Sequence, residues 1–131
     1  MSYYYAKTFT RPFDGMVAAT RRALEAEGFG IITEIDVQQT MRSKLDVDIR
    51  PYLILGACNP RLAFEALQLE NKVGTMLPCN VIVQDVGEGT TEVAAVDPVA
   101  SMQAIENADL RAKAAAVGEK LRSAIERLDQ A

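Results

Sequence analysis

Residues 81–96 read VIVQDVGEGTTEVAAV, and this stretch decides the fold class. Two apolar, largely β-branched runs, residues 81–83 and 93–96, flank the turn Gly87-Glu88-Gly89. Such a pattern is typical of a β-hairpin, in which the two strands are antiparallel. Asp97-Pro98 then ends the second strand, because proline cannot donate to a strand ladder. The sequence therefore predicts an antiparallel sheet with this hairpin inside it.

The pattern on either side of the hairpin predicts further strands and helices. Strands are expected at 3–10, 30–37 and 48–57, and helices at 13–27, at 38–45, after Asn59-Pro60, and at about 109–128. Few of these elements alternate as βαβ units, so the predicted fold class is α+β. With 131 residues, the chain is expected to form one domain over residues 1–131.

Helix starts and apolar stripes support these assignments. Asn59 suits an N-cap and Pro60 the first helical position. Gly28 suits the end of the first long helix. The last helix presents one apolar stripe that should cover the sheet: Leu110, Ala114, Val117, Leu121, Ile125 and Leu128.

Charge and hydropathy argue against two classes of partner. The net charge is −4 and the basic residues are scattered among acids, so nucleic acid is not an expected partner. No apolar stretch is long enough to cross a bilayer, so no membrane partner is expected. The first residues do not resemble a secretory signal, which predicts a cytoplasmic location and reduced cysteines.

The chain contains no histidine, and this excludes several kinds of site. Ser-His-Asp and Cys-His catalysis within one chain are ruled out. Histidine-based zinc, haem and non-haem iron sites are ruled out too, unless a partner supplies the ligand. No catalytic motif is recognised, so the sequence leaves open whether the chain is an enzyme, and it identifies no cofactor.

The candidate site consists of two short motifs, Cys58-Asn59-Pro60 and Pro78-Cys79-Asn80. Cys58 precedes a predicted helix N-terminus, where free N–H groups favour an anion. If the fold brings the motifs together, Cys58, Asn59, Cys79 and Asn80 would form a ligand-binding site with two sulfurs and two amides.

Three functions and one structural role fit these motifs. Cys58 and Cys79 could bind a soft metal ion such as Cu(I), aided by Met76, whereas a zinc site would need both protomers of a dimer. Alternatively, Cys58 attacks and Cys79 resolves in thiol redox or sulfur transfer. A small ligand could use Asn59 and Asn80. Finally, the cysteines could simply be buried core residues. We favour a non-catalytic module that binds a metal ion or a small molecule.

The chain also resembles a known family. The motifs ILGACNP (residues 54–60) and LPCNV (residues 77–81), together with Glu34–Val37, Lys44-Leu45 and Val96-Asp97-Pro98, resemble an uncharacterised bacterial and archaeal family, domain-of-unknown-function family 302. The resemblance implies a TBP-like α+β fold, a curved antiparallel sheet packed by helices, and a homodimer. It implies no reaction, substrate or cofactor.

Overall fold

The hairpin predicted at residues 81–96 lies inside a five-stranded sheet in the computed structural model, which describes residues 2–129. The elements in chain order are β1 (Tyr4–Phe9), α1 (Phe13–Ala26), β2 (Gly30–Asp36), α2 (Val37–Leu45), β3 (Tyr52–Cys58), α3 (Pro60–Leu69), a 3₁₀ turn (Val73–Met76), β4 (Cys79–Gly87), β5 (Thr90–Val96), α4 (Pro98–Ser101) and α5 (Ala108–Glu126).

The sheet has the strand order β1-β5-β4-β3-β2, and every neighbouring pair is antiparallel. β4 is therefore the central strand, with β5 on one side and β3 on the other. Gly87 and Gly89 have positive φ angles of 97° and 72°, which explains why the turn contains glycine.

One face of the sheet is buried under helices. Because side chains alternate along a strand, every second residue of β3, β4 and β5 points to this face. Leu55, Val81, Val83 and Val93 are each 0% exposed there. α1 and α5 cover them with apolar side chains: Met16, Leu24, Leu121 and Ile125. Full burial of one such side chain stabilises the fold by about 1.5–3 kcal/mol.

A second, smaller core lies between α3, the 3₁₀ turn, α4 and α5. Its buried members are Ala66, Val73, Met102, Leu110 and Ala114. α5 thus contributes to both cores: Leu110 and Ala114 belong to the second core, and Leu121 and Ile125 belong to the first. This second core supports the site described below.

The predicted α+β class is confirmed, and most element bounds agree within two residues. β3 begins at Tyr52 rather than at residue 48. Two features explain this later start of β3. Asp46 ends α2 in the left-handed region with φ 55°, and Pro51 has no N–H to donate to a neighbouring strand.

Two short elements were not predicted, and one predicted helix, α2, is largely exposed. Asp97-Pro98 does end β5, but the Asp97 carboxylate also accepts the Val99 N–H at 3.0 Å and caps the four-residue α4. The 3₁₀ turn was missed as well. α2 contains no buried residue, and Leu45 is 66% exposed. Within residues 2–129, no helix is both long enough and apolar enough to cross a membrane.

Candidate functional site

The two cysteines lie at the same edge of the sheet. Cys58 is the last residue of β3 and Cys79 is the first residue of β4. The two strands are antiparallel, and Ala57 is the register partner of Cys79. The 20 residues between the cysteines contain α3 and the 3₁₀ turn, which return the chain to the same edge of the sheet. Cys58 and Cys79 are therefore far apart in sequence but close in space.

Asn59 has the role that its sequence context predicts. Its Oδ1 accepts the Leu62 N–H at 3.2 Å and caps α3, with Pro60 in the first turn. Its amide nitrogen is close to Gly28: a Cβ added at Gly28 would lie 3.3 Å from Nδ2. Gly28 also has φ 88°, which L-residues with a side chain rarely adopt.

Pro78 is packed just as closely on the strand that carries Cys58. A Cβ added at Gly56 would lie 2.7 Å from Cγ of Pro78 and 2.0 Å from Oγ1 of Thr33. The glycine therefore allows β2 and the start of β4 to close on β3 from both sides. The Leu77–Pro78 peptide bond is cis.

A cavity of about 280 Å³ lies beside the two cysteines. Cys58, Asn59 and Cys79 line it together, between the end of β3 and the helices α3 and α5. The other lining residues are apolar with one exception, Lys113: Phe29, Ile32, Ala57, Leu62, Ala63, Ala66, Leu67, Leu77, Pro78, Met102, Leu110, Lys113, Ala114 and Val117.

The two thiols have different surroundings. Both are free, but Cys58 is half-buried whereas Cys79 is only 7% exposed. Burial, and to a lesser degree the negative charge of a Cys58 thiolate, raises the pKa of Cys79 from 9.0 to about 11. Cys79 is therefore a neutral thiol near pH 7, while Cys58 is the cysteine that solvent and ligands reach more easily.

Asn80 is separated from the other three predicted site residues. Since Cys79 faces the helices, the next residue of β4 faces the opposite side of the sheet. Asn80 is exposed there, in a shallow pocket of about 390 Å³ that Tyr3, Tyr4 and Tyr52 also line. The structure thus brings Cys58, Asn59 and Cys79 together and leaves Asn80 on the other face.

Metal ligands are sparse around the thiols. Met76 is 42% exposed and does not line the cavity. Across residues 2–129, no cluster of three or more histidine, cysteine, aspartate or glutamate side chains is placed to hold a metal ion. The sulfur-containing residues that line the cavity are Cys58, Cys79 and Met102, and metal binding by the two cysteines stays a prediction.

Sequence reasoning missed the residues that α3 and α5 contribute to the cavity, among them Ala63, Ala66, Lys113 and Ala114. The apolar stripe of α5 was recognised, but it predicted only that the helix packs on the sheet. Nothing local in a helical stripe distinguishes residues that fill a core from residues that line a cavity.

Comparisons with known proteins agree with this fold. The model of the family "Domain of unknown function DUF302" matches residues 5–128. The chain belongs to this family. A crystal structure of an uncharacterised conserved DUF302 protein from Bacillus stearothermophilus has a TM-score of 0.90 and 25% identity, over 98% of this chain and 100% of that one. No curated protein matches the chain. The family resemblance and the α+β fold with its antiparallel sheet are therefore confirmed.

Proposed function

We propose that this DUF302 domain is a non-catalytic module that binds a small, mainly apolar ligand in the cavity beside Cys58 and Cys79. The observation that carries the proposal is the cavity itself, about 280 Å³ in volume and lined almost wholly by apolar groups. Small-molecule sites are concave and mostly apolar, with a few polar groups that orient the ligand. An apolar cavity of about 150 Å³ can hold benzene, so this one has room for about ten carbon atoms.

The cavity is open to ligands from solvent. Ile32 and Leu67 belong to its lining, yet they are 61% and 42% exposed. Protein interiors are otherwise close-packed, with few voids larger than a water molecule. An apolar recess with exposed apolar side chains at its edge is therefore better explained by an occupant than by loose packing.

The properties of Cys79 favour this occupant over the two chemical alternatives. A resolving thiol and a metal ligand both act as thiolates. The raised pKa of Cys79, about 11, opposes that ionisation near neutral pH. A soft metal ion or a redox role must therefore overcome the burial of Cys79, whereas an apolar ligand benefits from it.

A titration with 1-octanol tests the proposal. We expect saturable shifts of the backbone amide NMR signals around the cavity in the wild-type protein. Ala63→Phe fills part of the cavity and should weaken binding about tenfold or more, because the lost contacts are apolar. Ala112→Phe is the matched control, since Ala112 is an exposed helical residue outside the cavity lining.

Two results would contradict the proposal. One is the absence of saturable shifts, or shifts that Ala63→Phe and Ala112→Phe affect equally in folded proteins. The other is anaerobic, stoichiometric binding of Cu(I) that a Cys58→Ser/Cys79→Ser variant loses, without any octanol binding. That second result would replace the apolar ligand with a metal ion.

The homodimer and the cytoplasmic location stay predictions. One observation supports a dimer: on the sheet face opposite α1 and α5, an apolar row crosses all five strands through register partners, namely Ala6, Ala94, Ile82, Ile54 and Ile35. Ile35 is 48% exposed on one edge strand, and Tyr4 is 47% exposed on the opposite edge strand, two residues before Ala6. Light scattering at micromolar concentration tests the dimer, and a monomeric mass would contradict it.

A further inference from the structure

We propose that the ligand carries an anionic head group of the carboxylate class, bound by Lys113 at the solvent-facing end of the cavity. This inference rests on the proposed function, because it specifies the ligand of the same cavity. The ligand class is then an alkyl or aryl carboxylate with an apolar body of about ten carbon atoms.

The first argument is the isolation of one charge in an apolar lining. Among the described residues that line the cavity, Lys113 alone is charged. The remaining polar groups are the Asn59 amide, whose oxygen is engaged in capping α3, and the two cysteine side chains. An ammonium group beside an apolar body is the arrangement that recognises an amphipathic anion, since the charge orients the ligand and the apolar walls bind its tail.

The second argument is the position of Lys113. Its Nζ lies 2.9 Å from Oε1 of Glu65, and this ion pair joins α5 to α3. Both side chains are 38% exposed, and Glu65 is not among the residues that line the cavity, so the ion pair lies at the protein surface beside the cavity. An ion pair at this exposure contributes little to stability, so Lys113 can shift toward a ligand carboxylate at small cost in stability.

The third argument is the hydrogen-bonding capacity of lysine. An ammonium group has three donors, and the contact with Glu65 uses one of them. A ligand carboxylate can therefore bind Lys113 while Glu65 keeps its contact. Glu65 then partly neutralises Lys113, and its removal should strengthen the binding of an anion.

Octanoate and 1-octanol form the probe pair that tests this inference, since they share a tail length and differ in charge. Dissociation constants are measured by NMR titration near pH 7.5 for the wild-type chain and three variants. Lys113→Met keeps most of the side-chain length and should weaken octanoate binding about fivefold, while changing octanol binding by less than about twofold. Glu65→Gln should tighten octanoate binding and leave octanol unchanged.

Lys120→Met is the matched control, because Lys120 belongs to the same helix but not to the cavity lining. It should leave both dissociation constants unchanged. Equal effects of Lys113→Met on the two probes, or a Lys120→Met effect as large as that of Lys113→Met, would overturn the carboxylate assignment alone. Failure of both probes to bind would overturn the proposed function and this inference together.

Discussion

The two Cys-Asn motifs have the same dipeptide and different roles. In the first motif the chain passes from β3 into α3 between Cys58 and Pro60, so Cys58 and Asn59 both line the cavity. In the second motif Cys79 and Asn80 both belong to β4, so their side chains point to opposite faces of the sheet. The backbone conformation at a motif, rather than its residue types, decides which side chains can act together.

Burial separates the motifs in a second way. Cys79 is enclosed by the main core, whereas Cys58 is half-buried at the strand end. For the asparagines, the structural role belongs to the first motif: Asn59 accepts a backbone N–H of α3, whereas Asn80 is exposed. Each motif therefore has one residue with a structural role, but it is the asparagine in the first and the cysteine in the second.

The largest effect is expected at Gly56, two residues before the first motif, where β3 packs closely against Pro78 of the second motif. Gly56→Ala would place a methyl group 2.7 Å from Pro78 and 2.0 Å from Thr33, so the strands on both sides must move. We expect the free energy of unfolding to fall by about 3 kcal/mol. Gly15→Ala is the control, because Gly15 lies in α1 with open space around its Cα, and it should stabilise by about 0.5–1 kcal/mol. Urea denaturation measures the free energy of unfolding of both variants. An unchanged free energy of unfolding in Gly56→Ala would show that Pro78 and Thr33 do not pack tightly against Gly56.

The next effect concerns the protonation of Cys79. Its pKa is about 11 in the folded chain and 9.0 for the ordinary solvent-exposed thiol, so the folded state holds this proton more tightly. The resulting stability is present below pH 9 and is lost as the pH rises to about 11. The loss should be on the order of 2–3 kcal/mol.

Denaturation curves at several pH values, compared between variants, check this prediction. Cys79→Ala should lack this part of the alkaline loss, whatever its stability near neutral pH. Cys58→Ala should keep most of it, because burial is the main cause of the raised pKa of Cys79. Equal alkaline losses in the wild type and Cys79→Ala would contradict the assignment.

The smallest effect separates the two asparagines. Asn59→Ala removes the N-cap of α3 and should cost about 1 kcal/mol. Asn80→Ala removes an exposed amide from β4 and should change stability by less than about 0.5 kcal/mol. Thermal unfolding measures both, and the distinction between the motifs fails if the two variants lose equal stability.

The fold could be predicted from the sequence because the patterns that indicate it are local. The hairpin at residues 81–96, the Asn59 cap with Pro60 and the stripe of α5 each depend on residues close together in the chain, and all three are present. For the site, the sequence left open whether the fold brings the two motifs together, and the pairing of β3 with β4 places Cys58 and Cys79 at the same edge of the sheet. The sequence alone did not place Asn80 on the opposite face from the other site residues. The alternation of side chains along β4 would have done so if the strand had been known to begin at Cys79.

The sequence by itself determined the α+β class, the central hairpin, the family and the absence of histidine chemistry, because these follow from residue types and short-range periodicity. Only the tertiary structure decided that α3 and α5 leave an apolar cavity beside the thiols, and that Lys113 in its lining pairs with Glu65 of α3. Cavities and ion pairs between distant helices depend on packing geometry. Residues 65 and 113 become neighbours only after both helices have packed against the second core.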